Sequence, residues 1–153
     1  MARRTRAREV ALQVLYQDDL NPRHNPDDDQ RFVEGRLQAP ELIEFARSLI
    51  SGVRRNRQEL DDLLSQTADH WSLERMALVD RNILRIAIFE LLYLDDIPAK
   101  VTLNEAIEIA KRYGDESSSA FINGILDRIL CEEEKMLAKK VEVQKSLNAN
   151  QGA

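Results

Sequence analysis

The chain carries one cysteine, Cys131, and two histidines in 153 residues. That is too few for a disulfide framework or a four-ligand Cys/His zinc site, and it fits a reducing, cytoplasmic compartment. Glycine and proline are also scarce, at 5 and 4 residues, which leaves little room for an all-β chain. The amino end, MARRTRAREV, lacks the apolar stretch of a signal peptide. An organelle transit peptide would be poor in acids, whereas Glu9 and Asp18 follow at once. The segment Leu78–Leu94 is strongly apolar, but Asp80, Arg81, Arg85 and Glu90 interrupt it, so it is not a membrane span. No glycine-rich phosphate loop, Gly-x-Ser-x-Gly or metal-spaced His/Cys set is present, and nothing calls for an enzyme or a cofactor. Positive charge is in deficit too. A formal charge of −5 argues mildly against coating nucleic acid but leaves room for a local basic patch.

What the sequence does have is helical periodicity and 43% apolar residues, enough for one compact core. In LVDRNILRIAIFELLYL, Val79, Ile83, Ile86 and Leu94 cover one side of a helix, and Leu84, Ile88 and Leu91 cover the other. A helix apolar on both sides is buried on both sides, so the rest of the chain packs around it. Ala7, Val10, Ala11, Val14 and Leu15 mark a first helix, with Thr5 and Glu9 as a loose start and Asn21-Pro22 as its end. Residues 21–39, with Pro22, Pro26, Asp27–Asp29 and Gly35, read as a loop with a helical turn near Phe32 and Val33. Pro40 opens a second amphipathic helix carrying Leu42, Phe45, Ala46, Leu49, Ile50 and Val53. Asn56 caps a third, with Leu60, Leu63 and Leu64 inward and Asp61 and Asp62 outward.

Ser72 is placed to cap a short turn before the central helix. After Pro98, Thr102-Leu103-Asn104-Glu105 fits a capping box, and Gly114 fits the left-handed residue that ends a helix. Ser117, Ser118 and Ser119 offer caps for a last helix with Phe121, Ile122, Ile125, Leu126 and Ile129 inside. The expected layout is a helical domain over residues 1–135 and a charged, frayed tail over 136–153.

The strongest functional feature is Arg3, Arg4, Arg6 and Arg8 at the start of the first helix, where the macrodipole disfavours cations. Guanidiniums bind phosphate through paired donors, and single-stranded RNA also needs aromatic faces for its bases. Tyr16 lies on the edge of that helix, and Tyr113 and Phe121 flank the Gly114–Ser119 loop. The plain alternatives are a solvated basic tail for the arginines and core packing for Phe121. His24 and His70 read as exposed and packing side chains. The mid-helix pair Asn123-Gly124 suggests a close approach, by another helix sooner than by a ligand.

The stretches RAREVALQVLYQ and ILRIAIFELLYLDDIPAKVTLNEAIEIAKRYGDESSSAFINGILDRI resemble the NusB family of bacterial transcription antitermination factors. The motifs occur in order: the arginine start, Leu-Arg-Ile-Ala, Asp-x-Pro-x-Lys-Val, Asn-Glu-Ala-Ile-Glu-x-Ala-Lys and Phe-Ile-Asn-Gly. The resemblance implies an all-α fold of two packed three-helix bundles with a short extra helix. It further implies binding of boxA RNA together with NusE, a protein shared with the small ribosomal subunit. Other Nus factors and RNA polymerase would then be engaged indirectly in ribosomal RNA operons. By position it places Arg3, Arg4, Arg6, Arg8 and Lys100 on phosphates, and Tyr16, Ser117, Ser118 and Phe121 near bases. Asp80, Arg81 and Glu90 are the expected NusE-facing residues. The loop Asp115–Ala120 departs from the family in lacking a basic residue after its serine.

Two other readings stand beside this one. NusB-like domains precede some ribosomal RNA cytosine methyltransferases, but no cofactor strand-turn-helix or catalytic cysteine region is found before Ala153. A protein-only adaptor would fit the acidic net charge. Some family members are dimers that hide the RNA surface, so a homodimer stays open here.

Overall fold

The computed structural model describes the backbone of residues 2–22, 25–68 and 73–151, and side chains at 4–22, 25, 27–68, 73–133 and 146–149. Within these the chain forms α1 (Ala2–Leu20), α2 (Pro26–Arg36), α3 (Pro40–Arg55), α4 (Arg57–Thr67), a 3-10 turn (Leu73–Arg75), α5 (Leu78–Tyr93), α6 (Ala99–Tyr113) and α7 (Ser118–Gln151). No strand occurs among the described residues. The expected cap Ser72, and His70 and His24, lie outside the described residues.

α5 is the central helix the periodicity predicts. Every residue from Asn82 to Glu90 is buried, and α5 packs against α1, α3, α4, α6 and α7. α1, α2 and α3 contact one another as one bundle, α5, α6 and α7 form the second, and α4 closes against α5 and α7. Ile83 and Ile86 on one side of α5 and Leu84 and Ile88 on the other are all buried, and burying each side chain stabilises by roughly 1.5–3 kcal/mol.

Polar ties hold the first bundle at its rim. Arg54 of α3 reaches Asp18 of α1 and Asp29 of α2 at 2.7 and 2.6 Å, and both partners hold its guanidinium well above its ordinary value. Inside, Arg85 of α5 donates to Asp19 of α1 at 3.0 Å and in a fork to Asp61 of α4 at 2.7 and 3.0 Å. Asp61, expected to point outward, therefore faces the core. Burial pushes Asp19 up, but the Asn82 hydrogen bond and the charges of Arg85 and Arg57 outweigh it and leave its carboxyl below the usual value.

Several local expectations change. The segment read as a loop contains α2. Pro26 is its first residue, the Asn25 side chain accepts from the Asp27 amide at 3.0 Å, and Asp27, Asp28 and Asp29 occupy its first turn. An acidic run complements the amino end of a helix dipole, so what resembled loop composition is a start signal. α6 begins at Ala99, ahead of the expected capping box. Thr102 is buried and donates to Glu90 at 3.3 Å. α1 likewise starts ahead of Thr5, whose hydroxyl donates to Glu105 at 2.7 Å. Asn56 makes no side-chain cap for α4, and its amide donates back to Gly52 O at 2.8 Å.

Gly114 is not left-handed, with φ −91° and ψ −175°. It is glycine because a Cβ would lie 2.4 Å from Ser118 Oγ and 2.8 Å from Ala110 O. Gly124, expected at a helix contact, is exposed with nothing within 4 Å. The close approach lies instead at Gly52, where a Cβ would stand 2.0 Å from the Phe89 ring. That ring stacks on Tyr93 at 5.3 Å, so it has little freedom to retreat.

Two outcomes follow for stability. Gly52→Ala forces α3 off α5 and costs about 1–3 kcal/mol in urea unfolding, while Gly124→Ala is neutral or stabilising. Equal effects at the two sites would contradict the packing described. The lowered Asp19 carboxyl stabilises the fold above its unfolded value, about 3.9, and that stabilisation is lost as pH falls through its folded value. The stability gap between wild type and Asp19→Asn, measured by denaturation at a series of pH values, therefore narrows in acid. A gap constant down to about pH 3 would refute the assignment.

Candidate nucleic-acid interface

The arginines of α1 divide into an inward one and outward ones. Arg8 falls on the buried stripe beside Ala7 and Ala11. Its Nε and Nη2 donate to the two oxygens of Glu90 at 2.9 and 2.7 Å, and the two side chains are 3% and 2% exposed. Arg8 is therefore bound inside the protein and cannot hold a phosphate, contrary to the expectation for it. Arg4 is exposed, and its guanidinium lies over the Phe45 ring at 4.6 Å, with Arg8 5.2 Å from the same ring. The Arg3 side chain lies outside the described residues.

Arg6 is turned the other way. Its Nη1 lies 3.3 Å from Glu9 Oε2, and Tyr113 donates its hydroxyl to the same oxygen at 2.9 Å. The other oxygen, Oε1, accepts from Arg112 Nη1. Glu9 is itself buried, while Arg6 and Arg112 are 42% and 61% exposed. One covered carboxylate thus gathers two open guanidiniums and a tyrosine from helices about a hundred residues apart in the chain. Burial, then the Glu9 carboxylate, pushes the Tyr113 hydroxyl above its ordinary value, so it stays a donor at neutral pH.

Arg112 and Glu9 went unrecognised in the sequence. A cation in the last turn of a helix is ordinary by the dipole rule and draws no notice, and Glu9 resembled a start signal. Only the α1–α6 contact brings them together.

Beside this cluster a groove of about 580 Å³ opens, lined by Leu12, Gln13, Tyr16, Phe32, Arg36 and Tyr113 among others. Tyr16 is half-buried there. Lys100 is exposed in the first turn of α6, twelve residues or about 18 Å along the helix from Arg112. Ser117 is exposed, and its amide and hydroxyl donate to Asp115 Oδ1 at 2.9 and 2.8 Å. The Ser117 hydroxyl holds the Asp115 carboxyl below the usual value. Ser118, expected near bases, is 1% exposed and closes the turn by accepting from the Asp115 amide at 3.0 Å. Phe121 is half-buried against the core.

The expected partner-facing residues do not make a surface. Glu90 is buried on Arg8, and Asp80 is buried too, which pushes its carboxyl above the ordinary value. Arg81 is half-buried, with its guanidinium on the carbonyls of Leu73 and Met76. All three are charged residues of the central helix; Glu90 and Arg81 meet internal partners, whereas Asp80 Oδ1 is buried without a hydrogen-bond partner. Among the described residues no group of His, Cys, Asp or Glu could hold a metal ion. No helix there is long and apolar enough to cross a membrane.

The described residues form an all-α fold of two helical bundles. The NusB family model matches residues 5–130, and the chain belongs to that family. It is 48% identical over 136 residues to the transcription antitermination protein NusB of Desulfosudis oleivorans, covering 84% of this chain and 86% of that one. Among solved structures, NusB of T. maritima superposes with a TM-score of 0.74 at 43% identity, covering 82% of this chain and 89% of that one. A structure of antitermination factors NusB and NusE in complex with dsRNA superposes with a TM-score of 0.75 at 30% identity, covering 84% and 96%.

The split between inward and outward arginines can be tested by stability. Arg8→Ala leaves the Glu90 carboxylate buried without its ion pair and costs about 3–5 kcal/mol in urea unfolding. Arg4→Ala costs under about 1 kcal/mol, as at other exposed sites, and the double change Arg8→Met with Glu90→Leu recovers much of the loss. An Arg8→Ala protein as stable as wild type would place that guanidinium outside.

Proposed function

We propose that this protein is a transcription antitermination factor that binds boxA-type single-stranded RNA on the face formed by Arg6, Arg112, Tyr16 and Tyr113. It does so together with NusE, and the complex engages other Nus factors and RNA polymerase in the cytoplasm during transcription of ribosomal RNA operons. The observation that carries the reading is the Glu9 cluster, which fixes two exposed guanidiniums next to two tyrosines. Arginine forks match phosphate oxygens and stay charged at any physiological pH. Tyrosine faces stack on unpaired bases, and stacking is tolerant of sequence. On a chain of net charge −5, two guanidiniums held side by side give phosphate a local attraction that the net charge does not. A solved relative is a complex of NusB and NusE with double-stranded RNA, which supports NusE and RNA as the two classes of partner. Lys100 and Ser117, both exposed, extend the same proposal to the two ends of α6.

The test is a titration of boxA RNA and a scrambled control, at several salt concentrations, with and without NusE. Arg6→Ala and Arg112→Ala each weaken binding to both RNAs by a similar factor and flatten the log-affinity versus log-salt slope by about one. NusE raises affinity for boxA, and boxA raises affinity for NusE by the same factor. An unchanged salt slope in the double variant would remove this face from RNA binding.

A further inference from the structure

Among the described residues, Arg8, Glu9, Arg85 and Glu90 are buried against opposite charges, and Asp80 is buried without one. Asp80 sits in the first turn of α5 and is 7% exposed, and its Oδ1 is covered with no hydrogen-bond partner. Its neighbour is the turn between α6 and α7. There Ser118 Oγ accepts from the Asp115 amide at 3.0 Å and donates to Asp115 Oδ1 at 3.2 Å. The same hydroxyl is within reach of the Asp80 carboxyl, yet a serine has a single proton to give. Two carboxylates therefore compete for one donor. We propose that Asp80 is a proton-operated latch: protonated, it donates to Ser118 Oγ and holds the turn of residues 114–118 against α5; ionised, it releases that turn.

The proton completes a set of contacts that the ionised form leaves incomplete. A protonated carboxyl supplies the missing donor, Ser118 Oγ has a second lone pair to receive it, and the Ser118 hydroxyl stays on Asp115. Protonation also removes a charge from a place where an unpaired one is costly to bury.

No cation of the described residues takes the proton's place. Arg81, next along α5, turns its guanidinium to the carbonyls of Leu73 and Met76. On the helices packed against α5, Arg8 of α1 is held by Glu90, Arg54 of α3 by Asp18 and Asp29, and Arg112 of α6 by Glu9. Asp19 of α1 and Asp61 of α4 are both on Arg85, and Arg128 of α7 donates to the Thr67 carbonyl. The charge that does bear on Asp80 is that of Asp115, which has the same sign. Burial first, and Asp115 with it, raise the Asp80 carboxyl above its ordinary value against the opposing pull of Ser118. The released segment follows Tyr113 directly and carries the exposed Ser117, so the latch governs the joint between α6 and α7. It stands on the protein's own contacts and does not depend on the RNA reading.

The experiment follows two signals of the full chain across a pH series. Carbon-detected NMR reads the Asp80 carboxyl, and hydrogen exchange of the Asp115 and Ser118 amides, corrected for its intrinsic pH dependence, reads the turn. Asp80 titrates above the unfolded value of about 3.9, and both amides lose protection several-fold as pH rises through the same point. A raised folded value means that the stabilisation is present in acid and is lost as pH rises through it, opposite in sign to Asp19. Asp80→Asn keeps a donor without the charge. Its turn stays protected throughout, and it is more stable than wild type at neutral pH, with the difference closing in acid. Asp115→Asn is the second variant: removal of the like charge moves the Asp80 titration and the loss of protection downward together. An Asp80 that titrates at the ordinary value overturns the latch. So does a pH dependence of the turn that is the same in wild type and Asp80→Asn, or one that stays put in Asp115→Asn while the Asp80 titration moves.

Discussion

The fork between Arg8 and Glu90 fixes how the first helix sits on the central one. Both charges are buried, and Thr102 of α6 donates to the same carboxylate. A buried pair of this kind is not a large net source of stability, since desolvation offsets most of the attraction, but breaking it leaves a bare charge inside. Its structural consequence is rotational. With Arg8 pinned inward, the helical repeat of about 100° per residue sends Arg4 over the Phe45 ring and Arg6 toward Glu9 and α6. The basic face is therefore a by-product of one internal contact, and a slip of α1 by one residue would scatter it.

The same seam explains a chain with a net charge of −5 that holds a cationic face. Acidic residues are spent on internal partners: Glu90 on Arg8, Asp19 and Asp61 on Arg85, Asp18 and Asp29 on Arg54. Glu9 differs because its arginines stay open to solvent. It neutralises part of their charge and holds them in place, which lowers the ordering entropy a bound phosphate must otherwise overcome.

Periodicity made the central helix and the inner faces of the other helices legible, because burial on both sides of Leu78–Leu94 leaves a pattern no surface helix has. The arginine start and the ordered motifs pointed to the NusB family, which the match over residues 5–130 shows. Charged residues were harder. Arg8 and Glu90 look like surface by type, and their burial depends on each other, far apart in sequence; half-buried Asp61 likewise meets Arg85 of another helix. Caps were misread for a similar reason. Thr102 and Ser118 have the right chemistry to cap, but tertiary contacts claim Thr102, and Ser118 is turned inward to close its own loop. Gly52 and Arg112 gave no local signal, since each acquires its role only when α3 meets α5 and α6 meets α1.

The central claim is that a strand of RNA lies where α1 and α6 meet. Its most direct test is chemical-shift mapping of isotope-labelled protein on addition of boxA RNA, including the arginine side-chain Nε–H signals. The account predicts shifts concentrated at Arg6, Tyr16, Arg112 and Tyr113, with the buried Arg8 signal almost still. Shifts confined to the exposed side of α3 and α4, around Arg47 and Arg55, with α1 and α6 unmoved, would contradict it.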